Sequence, residues 1–401
     1  MSSGLSRVVS GMRPTGSLHL GHLHGVLKNW VRLQYENECF FFVADWHALT
    51  TDYDNTENLQ TNIKSMIIDW LSVGINPNKS TVFIQSKIPQ HAELHTLFSM
   101  ITPLSWLERV PTYKDQQEKL TGKDLSTYGF LGYPLLQSAD ILAYQATKVP
   151  VGEDQVAHVE LTREVARRFN FLYGRDQRFA QKAESAIKKM GKKNAKIYQK
   201  LKLAFQEQGD KEALTTGIAL IENQQNINVE DKERLLGFLE GGGKIILPEP
   251  MALLTPTAKM PGVDGQKMSK SYNNTIPLNA KLNEVKIKIQ KMPTDPARVR
   301  RNDKGNPEKC SVWQYHKIYS KPNVQKQIFS DCTTAAIGCV DCKKPIIQSV
   351  INELDTIQTN ARQYAKDNTL VDHIINNGCA QAEEQAQKTL DKVREAMGLV
   401  Y

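Results

Sequence analysis

No run of the 401 residues approaches the ~18 uninterrupted apolar positions of a membrane span. The N-terminal stretch Met1-Ser-Ser-Gly-Leu-Ser-Arg7 lacks the charged-then-apolar layout of a secretory signal. Internal repeats and long low-complexity tracts are absent too. Six cysteines are too few, in a chain this long, for a disulfide scaffold. Neither GxxxxGK[ST] nor GxGxxG occurs, so neither of those two nucleotide-binding turns can be assigned. The expectation is a soluble, cytoplasmic protein with no membrane partner.

What is present is an ordinary globular balance, 40% apolar and 23% charged, which excludes a wholly disordered chain. At about 100–200 residues per domain the length implies two to three domains. Lys and Arg number 51 against 43 Asp and Glu, a net +8 that suits a polyanionic partner such as a nucleotide or nucleic acid.

The first ~175 residues alternate β-rich runs with helical patterns. Arg7–Ser10, Cys39–Ala44 and Thr81–Ile84 lack polar alternation, as strands buried on both faces do. Between them Leu20, Leu23, Leu27, Trp30 and Val31 fall at helical spacing, as do Ile63, Ile67, Trp70 and Leu71. This order predicts an α/β fold: a parallel sheet with right-handed helical crossovers on both faces. Residues 1–174 are its first part. Residues 175–247 read as a helical insertion, with 11 Lys/Arg against 4 Asp/Glu in Arg175–Lys211. Gly241-Gly-Gly and Pro248-Glu-Pro250 return the chain to the main body. Residues 248–280 complete that body, and 281–401 are helical to the end. Within the insertion, Lys188, Lys189, Lys192, Lys193 and Lys196 are either a solvated face or a contact to an RNA backbone.

Two segments carry chemistry. Gly11-Met-Arg13-Pro14-Thr15-Gly-Ser-Leu-His19-Leu-Gly21-His22 follows the first strand and opens the first helix. Its glycines admit close backbone approach, and imidazoles on the first turn can donate to phosphate oxygens beside the helix N-terminus. Far downstream, Pro261-Gly-Val-Asp-Gly265 precedes Lys267-Met268-Ser269-Lys270-Ser271, a loop of two lysines and two hydroxyls. HLGH paired with KMSKS resembles the signatures of class I aminoacyl-tRNA synthetases. Tyr133-Pro-Leu-Leu-Gln137-Ser-Ala-Asp140, Val149-Pro-Val-Gly152-Glu153-Asp154-Gln155 and His158-Val-Glu-Leu-Thr-Arg-Glu narrow the resemblance to the tryptophanyl-tRNA synthetases. It covers Arg7–Tyr173 and Leu247–Tyr401.

That resemblance implies a Rossmann-like catalytic domain, a helical anticodon-recognition domain and a homodimer. The implied reaction activates L-tryptophan with ATP and Mg²⁺, then transfers it to tRNA(Trp). His19, His22, Lys267 and Lys270 become the catalytic set. Arg13, Pro14, Thr15, Gly21, His22, Gly152, Glu153, Asp154, Met260, Lys267, Met268, Ser269, Lys270 and Ser271 become the ATP site. Asp140, on a helix expected to open at Tyr133-Pro134, matches the family's indole-binding aspartate, with Gln137 and Gln155 beside it. Arg13 stands where many relatives carry Gln, and Gln137 where others carry Met. A tyrosyl-tRNA synthetase and a non-catalytic synthetase-like RNA binder are the rival readings.

Four cysteines are clustered as Cys310-x21-Cys332-x6-Cys339-x2-Cys342. Such a set in a cytoplasmic protein points to metal, and its spacing alone admits structural zinc. The motif resembles the synthetase branch with a [4Fe–4S] cluster in the C-terminal domain, which implies those four as iron ligands. The flanking Arg298, Arg300, Arg301, Lys343 and Lys344 then read as phosphate contacts.

Overall fold

The structure is a computed structural model that describes residues 6–111, 126–175, 178–254 and 260–401, without the side chains of Gln208 and Ser271. Met1–Leu5 lie outside the described residues. Strands β1 (Arg7–Met12), β2 (Glu38–Val43), β3 (Ser80–Ile84), β4 (Lys148–Val151) and β5 (Met251–Leu254) form one sheet in the order β3-β2-β1-β4-β5. Every neighbouring pair is parallel. Three of the strands stand where the apolar runs placed them. The other two have four residues each, and Pro150 inside Lys-Val-Pro-Val hides β4 from any propensity pattern.

The crossover from β1 to β2 runs as Leu20–His22, a π-turn over Leu23–Leu27, and Lys28–Leu33. Leu20, Leu23, Leu27, Trp30 and Leu33 are all 2% exposed or less. Trp30 stacks on Phe41 of β2 at 4.4 Å and meets Trp70 edge-on at 5.1 Å. Burial of side chains this size contributes about 1.5–3 kcal/mol each, which pins the helix to the sheet.

One expectation needs correction. The helix carrying Asp140 does not open at Pro134; it spans Tyr128–Leu142, and Thr127 caps it by accepting from the Phe130 backbone N–H. Pro134 lies inside this helix, where its ring removes one ladder donor.

The insertion is helical, over Phe179–Lys189, Lys192–Gln208, Lys211–Glu222 and Val229–Leu239. Ala186, Ile187, Met190, Tyr198, Ile221, Ile227, Leu235 and Leu239 form an apolar cluster of their own. Lys189 is spent on an ion pair with Asp231 at 2.7 Å.

The C-terminal helices are Leu282–Lys291, Ser311–Tyr319, Pro322–Thr333, Cys339–Lys366 and Asn368–Ala396. Their buried faces, including Ile346, Val350, Leu354, Val371 and Leu390, join the same core as the sheet. The last helix lies directly on edge strand β3. A Cβ at Gly378 would come 1.9 Å from the Val82 carbonyl oxygen, so only glycine allows that approach. Among the described residues, no helix is long and apolar enough to cross a membrane.

Candidate active site

In a parallel sheet, ligands bind beyond the carboxyl ends of the strands, where the strand order reverses direction. Here that point lies between β1 and β4. A cavity of about 180 Å³ opens there, lined by Arg13 after β1, Gln155 after β4, and Phe42, His47, Tyr133, Gln137, Asp140 and His158 among others. The topology thus gathers the substrate residues expected from sequence, Asp140, Gln137 and Gln155, around one cavity.

Asp140 is fully buried. Its Oδ1 accepts from Gln85 Nε2 at 2.7 Å and from His91 Nδ1 at 2.6 Å, and its Oδ2 accepts from His47 Nε2 at 2.7 Å. Burial alone would raise its pKa. The charge and hydrogen bonds of His47 and His91 outweigh that and hold the carboxyl well below the usual range, so it is ionised. A carboxylate offers about four acceptor sites, and three are filled. Among the described residues no fourth donor is bonded to it, and Asp140 lines the cavity.

Neighbouring tautomers follow from the same accounting. Gln137 Oε1 can only accept, so His158 Nδ1 donates to it at 2.8 Å. His158 Nε2 then accepts from the Tyr133 hydroxyl at 3.2 Å. This is the neutral imidazole, in keeping with burial that lowers its pKa to about 4.

The HLGH segment forms a second constellation. His19 is the helix N-cap: its Nδ1 accepts from Gly21 N–H at 3.1 Å, while His22 Nδ1 accepts from His19 N–H at 3.2 Å. This is a capping box built from two imidazoles. A Cβ at Gly21 would stand 2.9 Å from the His19 ring, so glycine is what lets the ring fold over the helix end. With both Nδ1 atoms accepting, both Nε2 atoms carry the proton in the neutral rings. Burial, with Lys270 nearby, lowers His19 to about 4. Burial, His19 and Lys270 lower His22 to about 3.

Backbone hydrogen bonds stitch the lysine loop beside this helix. Leu20 N–H donates to Ile276 O at 3.0 Å, and Leu278 N–H donates to Leu18 O at 2.9 Å. Lys270 Nζ donates to Thr15 O at 3.0 Å. Desolvation lowers the Lys270 pKa, with Asp69 pulling it back up. The loop is itself a hairpin closed by the Pro261–Lys267 bridge. Asn274 organises it from within, accepting from Ser269 N–H at 2.8 Å and donating to Asp264 Oδ1 at 2.8 Å and Lys267 O at 3.0 Å. Met260 and Met268 are buried against the core, whereas Lys267 is exposed. Gly152, Glu153 and Asp154 follow β4, with both carboxylates exposed.

These depressed histidines make stability depend on pH. His19, His22 and His158 are neutral when folded but titrate near 6.5 when unfolded. The unfolded state therefore binds more protons below that value, and stability falls as the pH drops from about 6.5 toward about 4. Asp69, which burial pushes up to about 7, works in the opposite sense but is a single group. Urea unfolding should show lower stability at pH 5 than at pH 7.5. His22→Gln keeps a capping-box residue and should shrink that difference by about 2 kcal/mol. An unchanged difference would contradict the neutral assignment.

Sequence reasoning missed His47, Gln85, His91 and Tyr144. His91 Nε2 meets the Tyr144 hydroxyl at 2.6 Å, which extends the Asp140 network. Lone histidines at helical spacing carry little signal. A positional cue did exist: Gln85 follows the last residue of β3, and His47 comes four after the end of β2.

The cysteines are brought together by three helices. Cys310 is the N-cap of Ser311–Tyr319, Cys332 ends Pro322–Thr333, and Cys339 and Cys342 open Cys339–Lys366. Burial pushes the Cys342 thiol up to about 12, and Cys310, Cys332 and Cys339 add to the rise. Among the described residues, no three His, Cys, Asp or Glu form a group that could hold a metal ion. Of the flanking cations, Arg298 and Lys343 are buried, whereas Arg300, Arg301 and Lys344 are exposed. Arg301 donates to Ala335 O and Ala336 O, and Lys343 to Gln290 O and Met292 O. Arg298 donates to Ile337 O and lies 3.8 Å from Cys332 Sγ.

A parallel sheet with HLGH and KMSKS joined at its switch point defines a class I aminoacyl-tRNA synthetase. The model of the family described as tRNA synthetases class I (W and Y) matches residues 1–201 and 214–355, and the chain belongs to that family. Within it, the chain is 58% identical over 395 residues to the tryptophan–tRNA ligase of Ralstonia nicotianae, covering 98% of this chain and 99% of that one. It is 45% identical over 397 residues to that of Thermotoga maritima, covering 98% and 100%. Among solved structures it resembles tryptophanyl-tRNA synthetase from Campylobacter jejuni complexed with ADP and tryptophan. The TM-score is 0.73 at 26% identity, covering 98% of this chain and 99% of the other.

Proposed function

We propose that this chain is a tryptophan–tRNA ligase, which activates L-tryptophan with ATP and then transfers the tryptophanyl group to tRNA(Trp). The observation that carries the tryptophan assignment is the single open acceptor site on buried, ionised Asp140 at the cavity wall. Indole offers one N–H donor to it, whereas the phenylalanine ring offers none. A buried acceptor left unpaired rejects the wrong ring far better than apolar walls do. Gln137 and Gln155 complete this side of the site. The RNA-binder alternative leaves the histidine and lysine segments without work.

In the first step a tryptophan carboxylate oxygen bonds to the α-phosphorus while the bond to the bridging oxygen breaks, and pyrophosphate leaves. Charge develops on the departing phosphates. Lys267 and Lys270 supply cations there, and His19 and His22 supply Nε2–H donors to phosphate oxygens without adding charge that repels Lys270. Arg13, Pro14, Thr15, Gly21, Met260, Met268, Ser269 and Ser271, with Gly152, Glu153 and Asp154, form the nucleotide wall. Mg²⁺ is carried on the ATP phosphates. In the second step the terminal ribose hydroxyl of tRNA attacks the acyl carbon, and AMP leaves. Purified protein should charge tRNA(Trp), and not tRNA(Tyr), with radiolabelled tryptophan. Absence of tryptophan-charged tRNA would reject the assignment.

The finer readings are a cytoplasmic homodimer and an iron–sulfur site. Met100, Leu104 and Tyr128 are large exposed apolar side chains of the kind a dimer would cover. Cys310, Cys332, Cys339 and Cys342 would hold a [4Fe–4S] cluster. The residues around them fit an anionic group. Buried Arg298 leaves its Nε without a hydrogen-bond partner beside Cys332. Buried Lys343 has only carbonyl partners, and a Cβ at Gly305 would stand 2.6 Å from Cys332 Sγ. When bound, the cluster would cross-link the three helices rather than carry electrons for the reaction. Anaerobically purified protein should be brown and contain about four irons per chain. One zinc and no iron would overturn the cluster while leaving the cysteine assignment in place.

A further inference from the structure

The helix Ser311–Tyr319 touches both signature segments, yet none of its side chains belongs to the cavity. Tyr315 is fully buried and its hydroxyl donates to Pro261 O at 2.9 Å. Pro261 is the residue that pairs with Lys267 to close the neck of the lysine hairpin. Next to this contact, a Cβ at Gly265, where φ is +87°, would meet Ser311 Cβ at 3.3 Å. The hairpin therefore rests on this helix as well as being hydrogen-bonded to it.

One turn further on, the Tyr319 hydroxyl donates to Glu353 Oε2 at 2.8 Å and lies 2.7 Å from His24 Nε2. A hydroxyl has one proton, so toward His24 it acts as acceptor. Lys28 Nζ reaches the other carboxylate oxygen of Glu353 at 2.6 Å. His24 belongs to the π-turn that follows HLGH directly. Such turns are rare and need some compensating contact. This one places His24 against the C-terminal helices. Because Tyr315 and Tyr319 are four apart, they share a face of the helix, with stacked rings at 6.4 Å. A single rigid helix thus holds the neck of one signature and the helix of the other.

We propose that Ser311–Tyr319 is a strut that keeps the two signatures in register across the ATP site, with Tyr315 and Tyr319 as positioning residues. The proposal rests on the adenylation reading above. Neither tyrosine touches substrate. Tyr315 acts through Pro261 on Lys267 and Lys270, and Tyr319 acts through His24 on His19 and His22. Small misplacements of groups that meet a transition state are costly, on the order of 10–100-fold for shifts near 1 Å. Among the described residues, no residue lining the tryptophan cavity is hydrogen-bonded to either tyrosine. The strut should therefore act on ATP and on the chemical step, not on tryptophan binding.

The test compares wild type with Tyr315→Phe and Tyr319→Phe, two substitutions that each remove one hydroxyl and keep the ring. ATP–pyrophosphate exchange, normalised to active sites by the burst of adenylate, should show kcat reduced about tenfold or more. KM for ATP should rise severalfold, and KM for tryptophan should stay within twofold. A purely structural role would lower the fraction of active sites and leave kcat and KM per site unchanged. That outcome in both variants overturns the proposal, as does an equal rise in both KM values. A second readout needs no catalysis. ATP should protect the Lys267–Lys270 loop from trypsin in the wild type and much less in Tyr315→Phe; equal protection overturns Tyr315's role. If the wild type itself performs no tryptophan-dependent exchange, the functional reading fails, which is distinguishable from a strut that fails in an active enzyme.

Discussion

Lys270→Ala should lower kcat for tryptophan-dependent ATP–pyrophosphate exchange by about 10²–10³-fold while leaving tryptophan affinity close to wild type. The magnitude is that of removing one preorganised group aimed at developing charge. In the present arrangement Lys270 Nζ is held by the Thr15 carbonyl, in the loop after β1 rather than in the cavity lined by Asp140. The ammonium is partly desolvated, which lowers its pKa, so it meets an incoming phosphate with less water to shed. An interaction that strengthens only as pyrophosphate departs affects kcat and kcat/KM together. A defect confined to KM for tryptophan would show that Lys270 serves the amino acid instead.

Asp140→Ala should cost tryptophan activation about 2–4 kcal/mol in kcat/KM, as expected for a buried charge-assisted hydrogen bond. It should also reduce stability, because Gln85, His91 and His47 all donate to this carboxylate and would lose their acceptor. The two effects separate through specificity. A misfolded fraction lowers activity toward every amino acid equally, whereas loss of the indole acceptor selectively narrows the gap between tryptophan and phenylalanine. Exchange rates with both amino acids, corrected for active sites, decide this. A discrimination ratio unchanged from wild type would mean that indole is read elsewhere.

Much of this site is legible in the sequence because its signals are local. Strands buried on both faces read as apolar runs, and the histidine and lysine segments are contiguous and adjoin glycines. What escapes is what depends on tertiary register. β4 and β5 are too short, and β4 is interrupted by Pro150, so neither the reversal of strand order nor the crevice it creates can be read from propensity. Pro134 suggests a helix start, but the Thr127 cap wins and the helix begins at Tyr128. His47, Gln85 and His91 come from three separate stretches, and only the fold shows that they converge on Asp140. Arg298 and Lys343 look like surface charge in the sequence, yet both are buried and donate to carbonyl oxygens of the cysteine region and its neighbouring helix.

ATP–pyrophosphate exchange measured over a range of tryptophan and of tyrosine concentrations, without tRNA, tests the central claim most directly. The tryptophan assignment predicts rapid exchange with tryptophan and at least about a thousandfold lower kcat/KM with tyrosine. Exchange that runs with tyrosine as well as with tryptophan, or with neither, would contradict it.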